Sequence, residues 1–292
     1  MSVDVAIETQ AKLGEGPRWD ARTQRLLWVD INGRALHVFD PAAGQDRTIA
    51  LDNRPGAAAP MTDGRVLVAL ADRLVALDLA DESLETLAEL PHGADMRAND
   101  GACDPAGRFW VGTMELDEAP DRAALYRFAG GVLEVVLDRV SLSNGLGWSP
   151  DAERFYYVDS PTLAIDVFDF DLASGTATGR RHFAEIEPAA GIPDGLAVDD
   201  EGALWVGLWG GFAVRRYTPD GRLDRVLEVP AENVTACALG GADGRSLFIT
   251  TAAPDGRLYV TDVDVGGPPA NVFHAGPERS TAPSDAEPTS AR

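Results

Sequence analysis

The segment DDEGALWVGL, residues 199–208, joins a polar turn to a short apolar strand, and the same arrangement occurs five more times in the chain. The other copies are DARTQRLLWVD (20–30), MTDGRVLVAL (61–70), DPAGRFWVGT (104–113), SPDAERFYYVD (149–159) and GADGRSLFIT (241–250). An apolar anchor in each copy gives spacings of 40, 43, 46, 49 and 43 residues. The anchors are Leu26, Val66, Phe109, Phe155, Leu204 and Leu247. Units of this length, with short strands and no sustained helical periodicity, are typical of four-stranded propeller blades.

Six such units account for most of the 292 residues, so the sequence predicts an all-β fold, a six-bladed β-propeller. A single domain is expected over residues 1–275. Residues 3–9 read as a strand before the first blade, and we expect them to pair with the last blade, which would close the ring and remove an exposed edge. Residues 276–292 lack apolar periodicity and are predicted to be disordered.

The composition is strongly acidic, with 47 Asp and Glu against 25 Lys and Arg and a net charge of −22. This balance argues against nucleic-acid and anionic-membrane partners, which select basic patches. Two cysteines, Cys103 and Cys237, are too few for a disulfide framework. The N-terminus has no basic stretch followed by an apolar run, so no secretory signal is predicted. We expect a cytoplasmic protein that is a monomer or a weak homodimer.

Four of the predicted innermost strands begin with an oxygen-bearing residue followed by glycine. The pairs are Glu15-Gly16, Asp100-Gly101, Asn144-Gly145 and Asp194-Gly195, and they lie 11, 9, 11 and 10 residues before the next anchor. Innermost strands line the central channel of a propeller, so these side chains are expected to converge there. Asn-Gly and Asp-Gly are also ordinary turn dipeptides. Glu has no such turn preference, and the shared register favours a common function.

Repelling carboxylates in an enclosed channel call for a cation, and an all-oxygen set of Glu, Asn and Asp favours a hard divalent ion. We therefore predict a central metal site holding one divalent ion, Ca²⁺ first, with Zn²⁺, Mn²⁺, Mg²⁺ and Fe²⁺ as alternatives. A nucleophilic mechanism based on histidine is poorly supported, because no histidine falls in this register. The four histidines are His37, His92, His182 and His274.

Four motifs contain these residues: LGEGPRW (13–19), MRANDGACDPAGRFWVGTM (96–114), SNGLGWSPD (143–151) and IPDGLAVDDEGALWVGLWGG (192–211). Together they resemble the regucalcin (SMP-30)/gluconolactonase family. The resemblance covers most of residues 12–251. It implies a six-bladed propeller with one catalytic divalent metal that hydrolyses sugar lactones to aldonic acids.

Carried over residue by residue, the resemblance assigns Glu15, Asn144 and Asp194 as the metal ligands, in agreement with the register. Asp100 matches a family position near the reacting water. The lactone carbonyl must be polarised and a water activated, and one metal can assist both steps. Asp194 is the first candidate for the general base, but as a metal ligand its basicity is reduced, so Asp100 is a rival.

The substrate contacts implied by the resemblance are Arg97 and Asn99, together with an acid in the loop after GTM. Asp117 is the first choice for that acid and Glu115 the second. Arg97 offers a planar fork of donors for lactone oxygens. Its alternative role is a surface ion pair with a neighbouring aspartate, Asp95 or Asp100.

Trp209 ends a predicted strand, where it would form an apolar wall against a sugar ring or else belong to the core. Two other functions remain open. One is a phosphotriesterase that uses the same metal site, and the other is a non-enzymatic calcium-binding propeller, because a fold does not dictate a function.

Overall fold

The computed structural model describes residues 2–275, and these form 24 β-strands with two single-turn 3-10 helices, Ser160–Thr162 and Pro188–Ala190. The strands make six antiparallel sheets of four strands each. This confirms the predicted all-β, six-bladed propeller. The prediction for residues 276–292 lies outside the described residues.

In blades 1 to 5 the strands follow one another outward from the channel in chain order, and in blade 6 the outermost strand comes from the start of the chain. The first strand, β1 (Asp4–Ile7), precedes blade 1. Blade 1 contains β2 (Gly14–Asp20), β3 (Arg25–Asp30), β4 (Ala35–Asp40) and β5 (Gln45–Ala50). Blade 2 contains β6 (Pro55–Pro60), β7 (Val66–Leu70), β8 (Arg73–Leu77) and β9 (Leu84–Glu89). Blade 3 contains β10 (Met96–Cys103), β11 (Phe109–Glu115), β12 (Ala123–Ala129) and β13 (Val132–Val140).

The remaining three blades follow the same order. Blade 4 contains β14 (Ser143–Trp148), β15 (Arg154–Asp159), β16 (Ala164–Asp171) and β17 (Thr176–Glu185). Blade 5 contains β18 (Ile192–Val198), β19 (Leu204–Trp209), β20 (Ala213–Tyr217) and β21 (Leu223–Glu228). Blade 6 contains β22 (Val234–Gly240), β23 (Ser246–Thr251) and β24 (Leu258–Asp262), and β1 is its outermost strand.

Blade 6 is completed by the start of the chain, because β1 pairs antiparallel with β24. The same blade packs against blade 1, where the rings of Trp19 and Phe248 stack with centroids 5.7 Å apart. The Thr235 hydroxyl also donates to the Gly14 carbonyl at 2.6 Å. The ring is therefore closed by backbone pairing, aromatic packing and a buried hydrogen bond.

The apolar core lies between neighbouring blades. All six anchors of the repeat are buried on the second strands of their blades. Between blades 3 and 4, Trp110 packs against Trp148, Phe155 and Phe170, with ring centroids 4.9 to 6.0 Å apart. Large aromatic rings bury much apolar surface, so these contacts fix the angle at which one blade meets the next.

The DxxGxxW pattern of the repeat has a structural purpose in blades 3 and 5. Asp199 is fully buried and accepts hydrogen bonds from the Trp205 indole at 3.0 Å and from Arg216 Nε at 2.8 Å. In blade 3, Asp104 accepts from the Trp110 indole at the same distance. Each aspartate thus joins its turn to the strand that follows.

After β24 the chain crosses the end of the channel opposite to the N-terminal ends of the innermost strands. The backbone N–H of Ala270 donates to Trp19 O, and that of Phe273 donates to Pro60 O. The Phe273 ring stacks on Phe128 at 5.6 Å. This segment therefore links blades 1, 2 and 3 to the last blade. Among the described residues, no helix has the length and apolar character needed to span a membrane.

Candidate functional site

The pairing between the innermost and second strands is interrupted at the same point in all six blades. A bulge of this kind turns a side chain away from the regular pleat. The residues without a ladder partner are Gly16 and Pro17 in blade 1, Gly56 in blade 2, Asn99 and Asp100 in blade 3, Asn144 and Gly145 in blade 4, Asp194 and Gly195 in blade 5, and Thr235 in blade 6. Glu15 is the last paired residue before the interruption in blade 1. Blades 2 and 6 place glycine and threonine there, so the carboxylates and the amides come from blades 1, 3, 4 and 5.

The glycines that follow these residues allow the innermost strands to approach one another. A Cβ on Gly145 would lie 2.7 Å from the Asp194 carbonyl oxygen, and one on Gly195 would lie 2.4 Å from Ala236 Cβ. Of the four glycines in the predicted pairs, only Gly16 has a positive φ, 53°. Turn geometry therefore does not explain the other three pairs, whereas close packing around the channel does.

Three buried carboxylates, Glu15, Asp100 and Asp194, lie within electrostatic range of one another. Burial, reinforced by the charge of Asp100, raises the pKa of Glu15 to about 8. Burial followed by the charges of Glu15 and Asp100 raises the pKa of Asp194 well above its usual value. The pKa of Asp100 is also raised by burial, although Arg18 opposes that shift. Burial and mutual repulsion thus disfavour the ionised forms of Glu15 and Asp194 despite the opposing charge of Arg97, so a bound cation would stabilise them.

Asn144 is held by a chain of hydrogen bonds. Its Oδ1 accepts from Asn99 Nδ2 at 2.7 Å, and its Nδ2 donates to Ser160 Oγ at 2.7 Å. The Ser160 hydroxyl then donates to the Pro193 carbonyl at 2.6 Å. These contacts orient the amide and leave Oδ1 with a second lone pair. The orienting role of Ser160 was not predicted from the sequence.

Arg18 lies deeper in the channel and was missed by the sequence analysis. Its Nη2 is 3.1 Å from Asp100 Oδ1, and the Gly101 N–H donates to the same oxygen at 2.7 Å. Asp100 Oδ2 is buried and has no hydrogen-bond partner among residues 2–275. One oxygen of Asp100 is therefore fixed, and the other is buried without a partner among the described residues.

Beyond Arg18, a cavity of about 230 Å³ occupies the opposite end of the channel. Its lining includes Trp19, Leu146, Trp148 and Leu239. None of the predicted site residues lines it. This cavity is therefore separate from the cluster of carboxylates.

Arg97 is buried and makes no ion pair with any described residue. Its Nη1 donates to the Ala98 carbonyl at 3.0 Å and to Asn99 Oδ1 at 2.6 Å. Burial lowers the pKa of Arg97 to about 10, against the opposing charges of Glu15 and Asp194. The alternative role of Arg97 in a surface ion pair is therefore wrong, because Asp100 pairs with Arg18 instead.

The acidic loop after β11 lies at the same end of the channel. Glu115 is half-buried at the end of the strand, with Oε1 3.7 Å from Arg122 Nε, whereas Asp117 is exposed in the following turn. The charge of Glu118 raises the pKa of Arg97, so this residue lies within electrostatic range of the site. Glu118 was not among the predicted substrate contacts.

Trp209 and two of the histidines lie outside the cluster of carboxylates, in different surroundings. Trp209 is 36% exposed, so it does not belong to the core. His37 is buried in β4, where Nδ1 lies 2.5 Å from Asp46 Oδ2 and its ring stacks on Trp28. His182 is exposed on the outermost strand of blade 4.

Comparison with known proteins identifies the chain. The family model described as the SMP-30/Gluconolactonase/LRE-like region matches residues 13–253. The chain belongs to this SMP-30/gluconolactonase family. The predicted family resemblance is thereby confirmed.

Relatives in the SMP-30/gluconolactonase family align over most of their length. A Bacillus subtilis (strain 168) protein that carries the name of a sugar lactone lactonase, YvrE, is 37% identical over 91% of this chain and 97% of its own. Regucalcin of Danio rerio is 36% identical over 86% of this chain and 87% of its own. The crystal structure of a calcium-binding regucalcin from Agrobacterium tumefaciens str. C58 has a TM-score of 0.90 at 30% identity, covering 93% of this chain and 97% of that one.

The donor set of this family member fits a divalent cation. Among residues 2–275 no three or more His, Cys, Asp or Glu side chains are arranged to hold a metal ion. The predicted ligand set of Glu15, Asn144 and Asp194 is not of that type, because its third oxygen comes from the side-chain amide of Asn144. No hydrogen bond reaches the Asp194 carboxylate from any described residue, and only Oε2 of Glu15 accepts one, from Gly16 N–H at 3.1 Å. Free carboxylate oxygens with raised pKa values, beside an oriented amide oxygen, suit an oxygen-binding cation.

Proposed function

We propose that the protein is a divalent-metal-dependent lactonase that hydrolyses sugar lactones to aldonic acids. The observation that carries this proposal is the convergence of buried, mutually repelling Glu15 and Asp194 with the buried donors Arg97 and Asn99. The chain's relation to a protein named as a sugar lactone lactonase supports the choice of substrate.

Glu15, Asn144 and Asp194 would hold the ion, with Ca²⁺ as the first candidate. The relation to a structure described as a calcium-binding regucalcin supports that choice. When bound, a divalent ion supplies a Lewis acid for the lactone carbonyl and lowers the pKa of a nearby water. The bound ion would neutralise the negative charge of Glu15 and Asp194. This would account for two buried carboxylates at neighbouring positions of the channel.

Arg97 and Asn99 would orient the lactone at the mouth of the channel. Asn99 bonds both to Arg97 and to Asn144, so a substrate contact and a metal ligand are held in one fixed geometry. Fixing reactants in this way lowers the entropic part of the barrier. Arg97 donors that are not used within the chain are available to the lactone oxygens.

The hydrolysis itself needs a base, and Asp194 and Asp100 are the two candidates. Asp100 is favoured by its free Oδ2, because Arg18 and the Gly101 N–H fix the other oxygen. The base takes a proton from water as the water oxygen bonds to the carbonyl carbon. The bond between that carbon and the ring oxygen then breaks, and the proton passes to the ring oxygen.

The rim would complete the substrate site. An acid of the loop after β11, Asp117 or Glu115, would accept hydrogen bonds from the hydroxyl groups of the sugar. The exposed ring of Trp209 would cover an apolar face of the sugar.

The test is hydrolysis by metal-loaded protein of a panel of aldonolactones, followed by pH-stat, with a fluorophosphate in parallel. Glu15→Gln and Asp194→Asn are expected to lower lactone hydrolysis by about 10²-fold or more. Asp138→Asn, an exposed carboxylate on β13, is the matched control and should retain activity. Faster turnover of the fluorophosphate would favour a phosphotriesterase. Metal binding without any hydrolysis would favour a calcium-binding propeller.

A further inference from the structure

We propose that the preferred lactone carries an anionic group, a carboxylate or a phosphate, remote from its carbonyl, and that Arg54 and Arg97 bind this group together. The inference rests on the proposed function and specifies its substrate class. Arg54 has not been assigned a role in the site above.

Arg54 stands at the mouth of the channel beside blade 3. It directly precedes β6, the innermost strand of blade 2, as Arg97 stands at the start of β10 in the next blade. A Cβ on Gly56 would lie only 2.3 Å from the Asn99 carbonyl oxygen, so the two strands touch at this level. Arg54 is half-buried. Both guanidinium groups therefore belong to the same end of the channel.

Neither guanidinium has an ionic partner among the described residues. The acid nearest to Arg54 along the chain, Asp52, pairs with Arg73 at 2.6 Å. Arg73 also engages Asp72 at 2.9 Å. For Arg97, the bonds described come from Nη1 alone, and they go to a carbonyl and an amide oxygen. Two arginines with unused donors thus lie together in a chain that has a net charge of −22.

The charges support an anionic ligand. Burial lowers the pKa of Arg97, the charge of Glu15 opposes that shift, and the like charge of Arg54 lowers the pKa further. With a divalent ion balanced by Glu15 and Asp194, and Asp100 paired with Arg18, both arginine charges remain without a paired counter-charge. Glu118 acts on Arg97 through its charge without forming an ion pair.

Guanidinium groups bind carboxylate and phosphate through paired hydrogen bonds, which makes them suited to an anionic substituent. A neutral sugar lactone presents only hydroxyl, ring and carbonyl oxygens, for which one arginine and one asparagine suffice. We therefore attribute Arg54, the second arginine, to an anionic substituent on the lactone.

The experiment compares kcat/KM of the metal-loaded protein for three probes. Glucono-1,5-lactone is neutral, 6-phosphoglucono-1,5-lactone carries a phosphate and glucaro-1,4-lactone carries a carboxylate. We expect one anionic lactone to exceed the neutral one by about 10-fold or more, and Arg54→Gln to reduce that ratio by about 10-fold, mainly through KM. Arg54→Lys should restore part of the ratio. Arg34→Gln, an exposed arginine of the β3–β4 loop at the same end of the channel, is the matched control and should leave the ratio unchanged.

An unchanged ratio in Arg54→Gln, or a preference for the neutral lactone, would overturn the inference while leaving the lactonase proposal intact. If no lactone is hydrolysed, the lactonase proposal fails, and calorimetry then tests the anion site alone. In that case 6-phosphogluconate should bind more tightly than gluconate, and Arg54→Gln should abolish the difference. Equal binding of both by the unsubstituted protein would overturn the inference.

Discussion

The side-chain amide of Asn99 donates a 2.7 Å hydrogen bond to the side-chain oxygen of Asn144, which joins a proposed substrate contact to a proposed metal ligand. Both residues are buried, so this bond is protected from exchange with bulk water. Loss of Asn99 is therefore expected to disturb metal binding as well as substrate binding.

Asn99→Ala is expected to weaken Ca²⁺ binding by about 10- to 100-fold, although Asn99 is not a proposed ligand. The reason is that the Asn144 amide loses one of the two contacts that orient it. Calorimetric titration of the metal-free protein measures the effect. Asn271→Ala removes a comparable amide that donates to Cys103 O at the other end of the channel, and it should leave the affinity unchanged. Equal affinities for Asn99→Ala and the unsubstituted protein would show that Asn144 is oriented without this bond.

The stability of the metal-free protein is expected to fall as pH rises from about 4.5 to 8. Burial and the charge of Asp100 raise the pKa of Glu15 to about 8, so in this range the folded chain keeps a proton that the unfolded chain releases. The free energy of unfolding then decreases by up to about 1.4 kcal/mol per pH unit, and this contribution is constant above pH 8. Chemical denaturation across this range measures it.

Glu15→Gln serves as the matched variant for that pH dependence. It should flatten the slope and make the metal-free protein more stable at pH 8, while removing metal binding and activity. An unchanged or steeper slope in Glu15→Gln would contradict the assignment of this pH dependence to Glu15.

Asp199→Ala is expected to destabilise the fold by about 3 kcal/mol, because the Trp205 indole and the backbone N–H groups of Glu201 and Ala203 lose a buried acceptor. Arg216 keeps its ion pairs with Glu201 and Asp224 at 2.7 Å, so its charge is not left without a partner. Such a loss lowers Tm by roughly 2–4 °C per kcal/mol. Differential scanning calorimetry measures the change. Asp138→Ala, on an exposed face of β13, should change stability by about 0.5 kcal/mol or less. A Tm within 2 °C of the unsubstituted protein for Asp199→Ala would refute this role.

The repeat predicted the six blades because each unit carries its own turn and buried anchor, and both are local signals. The register of Glu15, Asn144 and Asp194 was visible for the same reason, whereas in blade 3 the equivalent position is Asn99, one residue before Asp100. The bulge in blade 2 was harder to recognise in the sequence, because its glycine, Gly56, follows a proline instead of an oxygen-bearing residue.

Contacts between distant residues could not be predicted from local patterns. Arg18 and Asp100 are 82 positions apart, and Asn144 and Ser160 belong to different strand ends. Arg54 belongs to no recognisable sequence motif. It comes close to Arg97 only because β6 and β10 meet at the mouth of the channel. The exposed position of Trp209 likewise depends on the shape of the rim.

The most direct test of a metal-dependent lactonase is titration of chelated, metal-free protein with Ca²⁺ while glucono-1,5-lactone hydrolysis is followed. The metal content should be checked by elemental analysis, and Mn²⁺, Zn²⁺, Mg²⁺ and Fe²⁺ should be titrated in parallel. We predict that chelation abolishes activity and that at least one of these ions restores it, reaching a plateau at one ion per chain. Full lactonase activity in protein verified to be metal-free would contradict the account.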